Sequence, residues 1–313
     1  MTRRSRQLRS TAQQSATAPI LADKHYTAPS AFTPGNLLRE ARRQKGLEDA
    51  AVPAICVLDP DGDIVRRLKE ERLAERDPIW ACYHTDLYRF TYRLAGADIE
   101  VGVVGCAVGS AFAVLVAEQL FASGCRFLVS MTSAGQLVPL RAPPYFILIE
   151  RALRDEGTSY HYLPPAAFSS ADANLLSAVQ GAFDDIRVPV MRGATWTTDA
   201  PFRETADAIA VMQEKGLLAV EMEAAALYAF AQACGKRVLC FAHVTNQMGR
   251  IEGDFEKGEA NGTRDALDVI AAAAHAWLIS LPPMDRQPGG PGRSRLPTRE
   301  TESSAPSSWE PAE

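Results

Sequence analysis

Two carboxylates one residue apart, Glu221 and Glu223, stand near the start of the otherwise apolar run Leu218-Ala219-Val220-Glu221-Met222-Glu223-Ala224-Ala225-Ala226-Leu227-Tyr228-Ala229-Phe230-Ala231. From Ala224 onward the run is unbranched, helix-forming and almost free of charge. Gly235 ends it, and Lys236 and Arg237 follow as a helix C-terminus prefers. The pattern predicts a buried helix with acids at its N-terminal end. Burying a carboxylate without partners costs several kcal/mol, so both acids need donors. Those donors are either the helix's own free N–H groups, which would make the pair a structural cap, or the hydroxyls of a polar ligand.

Other polar clusters punctuate the chain at the ends of apolar runs. Thr132-Ser133-Ala134-Gly135 closes the run 127–131, and the small-residue loop 105–110, with Gly109, precedes a helix expected over 111–122. Glycine and hydroxyl loops after strands let backbone and Oγ groups approach a ligand closely. Asp61-Gly62-Asp63 follows the strand expected at 54–58 and opens a helix with Arg66 one turn inside, the arrangement of an anion site; a plain tight turn has the same sequence. His161 lies in a loop of hydroxyls and aromatics over 158–165, and residues 196–203 form a second polar, aromatic loop.

The elements that position these groups alternate between strand and helix. Strands are expected at 54–58, 99–104, 127–131, 144–149, 188–193 and 238–245, with 79–93 and 99–104 forming a hairpin. Helices are expected at 37–44, 111–122, 171–181, 205–215 and 266–281 besides the central one. The alternation predicts an α/β fold: a single domain over residues 31–283, its central mixed β-sheet flanked by helices on both faces. Residues 1–30, rich in Ser, Thr, Gln, Ala and Arg, are expected to be a disordered basic tail, and 284–313 a second disordered tail.

Composition narrows the function classes. The 313 residues are 47% hydrophobic and 23% charged, with a net charge of −5, which gives no global reason for a nucleic-acid partner. No stretch is apolar enough to span a membrane, and the basic start leads into polar residues rather than a signal sequence. Six cysteines without metal-ligand spacing predict no metal site and reduced core thiols, hence a cytoplasmic protein. No G-x-G-x-x-G occurs, which argues against a nicotinamide-binding site.

Val220-Glu221-Met222-Glu223-Ala224 resembles the V-E-M-E-x signature of the nucleoside phosphorylase superfamily, the branch with uridine phosphorylase and hexameric purine nucleoside phosphorylase. Three further segments carry the resemblance. Residues 155–162 are similar to the D-G-x-S-x-H-(F/Y) segment of uridine phosphorylases, Ser133-Ala134-Gly135 to the (S/T)-x-G loop, and Gly62-Asp63-x-x-Arg66 to the G-D-P-x-R phosphate loop. The resemblance spans about residues 50–280. It implies a nucleoside phosphorylase-like fold and phosphate-dependent cleavage of a nucleoside to free base and pentose 1-phosphate. No cofactor beyond phosphate as co-substrate is implied, and the protein is expected to be a homo-oligomer, a dimer or a hexamer built of dimers. By the same resemblance Glu223 accepts the ribose hydroxyls, Met222 packs on the sugar, and Glu221, Gly109 and His161 belong to the substrate side. Thr198, Phe202 and Arg203 line the base end, Arg203 by hydrogen bonding to a carbonyl of the base. Gly62, Arg66, Ser130 and Ser133 form the phosphate side.

Two departures from the family pattern bear on chemistry. Ser130 stands where the phosphorylases carry an arginine, and Thr85, with Arg89 nearby, stands where a neighbouring subunit donates another. Nucleosidases of the superfamily also lack charge at the first position, which keeps water as a second candidate acceptor and a binding protein without turnover as a third reading. Asn246 replaces the Asp that protonates a leaving purine. An amide can hydrogen-bond but cannot act as an acid, which favours a pyrimidine or 6-oxopurine.

Overall fold

Apolar residues fill every position of Ile55–Asp59 (β1) up to its closing aspartate, and the whole strand is buried. Such a run fits a strand covered on both faces. The computed structural model describes residues 18–94, 97–248 and 254–282. Of the disordered tail expected over 1–30, residues 1–17 lie outside the described residues, as do 95–96 and the tail from 284, whereas residues 18–30 are placed and include the 3-10 turn Pro19–Leu21. Around β1 the chain lays down, in order, α1 (Pro34–Lys45), α2 (Asp63–Glu70), β2 (Ala74–Arg76), β3 (Tyr88–Leu94), β4 (Ala97–Gly105), α3 (Ser110–Ala122), β5 (Phe127–Gln136) and β6 (Tyr145–Asp155). Then follow β7 (Phe168–Ser170), α4 (Ala173–Ala178), β8 (Val190–Thr198), α5 (Ala206–Glu214), β9 (Ala219–Glu221), α6 (Ala224–Cys234), β10 (Val238–Asn246) and α7 (Thr263–Ser280).

The strands form one mixed sheet, as the alternation predicts, and β3 and β4 are the expected hairpin. β1 lies parallel between β4 and β5. Beyond β5 the sheet closes on itself: β5 pairs with both β10 and β9, β10 with β6, β6 with β8, and β8 with β9. Helix α3 packs against α1 and α6, and α7 packs against α2 and α4.

Three strands outrun their apolar cores. Thr132–Gly135, expected as a loop, continues β5 because Ala242, His243, Val244 and Asn246 of β10 pair with it. Trp196–Thr198, also expected as a loop, extends β8 by pairing with Leu153, Arg154 and Asp155, where β6 runs on past its expected end at 149. Polar composition hid them, since cross-strand partners rather than intrinsic propensity hold the backbone there. The helix expected over 171–181 is shorter: Asp172 accepts from the N–H groups of Asn174 and Leu175 and starts the helix after itself, and Val179 leaves helical geometry. His161 sits in a single 3-10 turn, Thr158–His161. A second such turn, Pro19–Leu21, packs against it, and Lys24 Nζ donates to His161 Nδ1 at 3.0 Å.

The central helix α6 is buried from Ala224 through Phe230. Gly235, at φ 62°, terminates it in the left-handed conformation that glycine accepts without a Cβ penalty. One hydroxyl fastens it to the sheet: Tyr228 Oη donates to Ile149 O of β6 and accepts from Cys240 N–H of β10 at 3.0 Å. Cys56, Cys82, Cys125 and Cys240 are buried free thiols, whereas Cys106 and Cys234 are exposed. Among the described residues no helix is long and apolar enough to cross a membrane.

Candidate active site

Strand β9 ends at Glu221, and α6 begins three residues later, so both acids fall at a strand-to-helix junction. Glu221 is 3% exposed and spends its carboxylate on the protein. Oε2 accepts from Glu223 N–H and Ala224 N–H, each at 2.7 Å, and Oε1 accepts from the hydroxyls of Thr195 and Thr197. It caps α6 and ties that helix to β8. Burial raises its pKa despite these donors.

Glu223 turns the other way. Oε1 accepts from Gly109 N–H at 2.7 Å, and Oε2 from Thr132 Oγ1 at 2.8 Å and from Met222 N–H at 3.3 Å. Ser110 Oγ donates to Met222 O at 2.8 Å, so the N-terminus of α3 grips residues 222 and 223 together. A helix N-terminus favours an anion there. Burial, and after it the charge of Glu221, pushes the Glu223 pKa up to about 7. Glu223 is 1% exposed, and the backbone of Gly109 that binds it has φ 85°, with nothing within 4 Å of where a Cβ would stand.

The anion side is built on the turn between β1 and α2. Gly62 adopts φ 74°, and a Cβ there would lie 2.7 Å from Cys106 Sγ. Asp59 accepts from Gly62 N–H at 3.2 Å and Val65 N–H at 3.0 Å, and burial lifts its pKa to about 7. Arg66 pairs with Asp63. Ser133 Oγ donates to Asp61 Oδ1 at 2.8 Å, and Lys257 Nζ bridges Asp61 Oδ2 and Asp63 Oδ2 at 2.7 and 2.6 Å. Burial would lower the Lys257 pKa, but its bonds to the two aspartates outweigh that and hold it raised. Two cations thus face two carboxylates at short range.

Asn246 sits across from Gly135 at a register shift in the β5–β10 pairing. Its Oδ1 accepts from Met248 N–H at 2.9 Å, and its Nδ2 donates to Thr245 Oγ1 at 3.2 Å. A Cβ on Gly135 would fall 2.4 Å from Met248 Sδ and 3.3 Å from both Asn246 Oδ1 and Val220 Cγ1. These residues converge on the strand that leads into Met222.

The sequence-derived candidates divide accordingly. Glu223, Met222, Gly109 and, through Thr132, the start of the hydroxyl segment are joined directly; Gly62, Arg66 and Ser133 gather around Asp61 and Asp63. Glu221 is buried against its own donors. Ser130 is 1% exposed, pairs in register with Leu58 and Cys240, and its hydroxyl has no partner among the described residues, so it is not brought to the anion side. Thr198 is buried at the end of β8 and accepts from Ala200 N–H, while Phe202, 99% exposed, and Arg203 stand on the exposed turn Pro201–Arg203. His161 is exposed and held by Lys24. Arg89 is spent within its own chain on Asp77, Glu100 and Ala51 O.

Sequence reasoning missed Asp61, Lys257 and His243. Lys257 lies 196 positions from Asp61 in a loop that reads as merely acidic, so no local pattern marks it. Thr132 had a signal, its place in the hydroxyl segment. Among the described residues no cluster of His, Cys, Asp or Glu could hold a metal ion.

The profile of the Phosphorylase superfamily matches residues 54–276. A uridine phosphorylase of Thermococcus kodakarensis is 25% identical over 67% of this chain and 84% of its own length. A DeoD-type purine nucleoside phosphorylase of Colwellia psychrerythraea is 36% identical over a shorter stretch, 32% of this chain and 42% of that protein. A guanosine phosphorylase of Halorubrum lacusprofundi is 26% identical over 45% and 58%. The crystal structure of uridine phosphorylase from Vibrio fischeri superimposes with a TM-score of 0.58 at 22% identity, over 71% of this chain and 91% of that one. With the family profile spanning most of the chain and the fold matching, the protein belongs to the phosphorylase superfamily.

Proposed function

We propose that the protein cleaves the N-glycosidic bond of a nucleoside with inorganic phosphate, giving free base and pentose 1-phosphate. The observation that carries this reading is the placement of Glu223. Its buried carboxylate is oriented by Gly109, Thr132 and Met222, and Oε1, with a single protein donor, keeps acceptor capacity at the N-terminus of α3. Breaking the bond leaves a cation-like sugar, and an oriented anion beneath the ring stabilises it. A phosphate oxygen bonds to C1′ as the C1′–N bond breaks, and the electron pair departs with the base. Gly62, Arg66, Ser133 and Lys257 supply donors on the acceptor side. Asn246 hydrogen-bonds the base without protonating it, which favours a pyrimidine or 6-oxopurine; the named relatives act on uridine, purine nucleosides and guanosine. Phosphate is the one co-substrate in this scheme. A homo-oligomer, dimer-based, and a cytoplasmic location suited to free thiols complete the proposal.

One observation favours a second reading, attack by water. Arg66 and Lys257 are already paired with Asp63 and Asp61, and Ser130 and Thr85 bring no charge. Base release from a panel of pyrimidine and purine nucleosides, with and without phosphate, separates the two. Release that requires phosphate and yields pentose 1-phosphate supports the phosphorylase; equal release in phosphate-free buffer, with free pentose as product, overturns it.

A further inference from the structure

The carboxylate of Asp61 has no part in the scheme above, yet it occupies the middle of the acceptor side. Its two oxygens take Ser133 Oγ and Lys257 Nζ, donors that an entering phosphate would need. Its side chain is 26% exposed, so it has room to swing outward. A small cavity of about 20 Å³ lies against it, lined also by Ser133, His243 and Gly262. That volume admits roughly one oxygen-sized group.

A second observation points to an external oxygen at this place. His243 is 6% exposed and stacks on Phe146 with ring centroids 4.4 Å apart. Its Nε2 is buried without a hydrogen-bond partner among the described residues. Burial depresses its pKa to about 4, so the ring is neutral at pH 7 and can donate from Nε2 without adding charge. Gly262 makes room for the ring: a Cβ there would lie 2.1 Å from His243 Cε1 and 2.9 Å from Nε2. An unfilled polar atom at this depth costs energy that a ligand oxygen in the cavity would recover.

We propose that Asp61 is an internal occupant of the anion subsite: its carboxylate engages Ser133 and Lys257 in place of phosphate, and phosphate enters by displacing it, with one oxygen toward His243. The inference rests on the reading that this cleft accepts phosphate. It makes Asp61 a residue that sets acceptor affinity rather than one that performs chemistry. Removing its charge frees Lys257, which stays anchored by Asp63.

The test measures inorganic phosphate binding by calorimetry and thermal shift on the full chain, for wild type, Asp61→Asn, Asp61→Ala and the double variant Asp61→Asn/Lys257→Met. The single variants should bind phosphate at least about tenfold more tightly, because a charge-assisted contact passes from protein to ligand. The gain should vanish in the double variant. Unchanged or weaker binding in both single variants, or a gain that survives loss of Lys257, overturns the inference. Phosphate-dependent base release by wild type, with phosphate KM unaltered in the single variants, overturns it while the phosphorylase reading stands. Phosphate-independent release, with no stabilisation of wild type or single variants by phosphate, overturns both.

Discussion

The two acids one residue apart have opposite physical roles. Glu221 satisfies four donors of its own protein, two of them N–H groups at the start of α6. Truncation to alanine strands those N–H groups and opens a cavity, so Glu221→Ala should lose at least about 3 kcal/mol in urea unfolding; stability within about 1 kcal/mol of wild type would contradict the capping role. Glu223 is assigned to the sugar, so Glu223→Gln should stay folded but lose about 100-fold in kcat/KM, the loss of charge-assisted hydrogen bonds. A loss smaller than threefold would remove Glu223 from the site. The pH dependence has two signs. Glu223 and Asp59 have folded pKa values raised to about 7 from ordinary values of 4.5 and 3.8. Each favours the protonated folded state, so the stability they contribute is fully present below the ordinary values and is lost as pH rises through about 7. Nucleoside cleavage needs the ionised Glu223, so kcat/KM should rise over the same interval, and Glu223→Gln should flatten that limb.

At the scale of elements, the site is assembled where loops and strand ends are pinned by close contacts. The segment carrying Lys257 runs to Gly262, which has φ 71° and where no space is left for a side chain beside His243 and Lys257 O. A methyl group there would fall 2.4 Å from that carbonyl and within the imidazole, in a backbone conformation that L side chains rarely adopt. Gly262→Ala should therefore cost about 2 kcal/mol or more and weaken the Lys257 contacts with Asp61 and Asp63. Thermal unfolding indistinguishable from wild type would show that the loop relaxes freely. Element identities were largely readable: apolar runs placed β1, β5, β10, α3 and α6. Their ends were not, because Thr132–Gly135 and Trp196–Thr198 are held extended by partner strands rather than by their own residue types.

At the scale of the whole molecule, the sheet that closes through β5, β10, β6, β8 and β9 brings the ends of distant segments around Glu223 and Asp61. Phe202, on the turn Pro201–Arg203, and Val108, in the loop before α3, are 99% and 51% exposed. Burying such side chains against a second copy is favourable, in line with the proposed oligomer. Sedimentation equilibrium should give a dimer or a multiple of it; a particle of 34.0 kDa at micromolar concentration would refute this.

By itself the sequence determined the fold class, the buried helix α6, its acidic N-terminus and the family pattern around residues 220–224. Those features are local: period, capping and residue type act over a few positions. Tertiary structure alone decided which acid caps α6 and which is held by the N-terminus of α3, since both are buried in the same apolar run and differ only in the donors that β8, α3 and β5 bring to them. It alone placed Lys257 and His243 beside Asp61, because hydrogen bonds and packing across 196 positions follow from sheet closure, which no local pattern encodes.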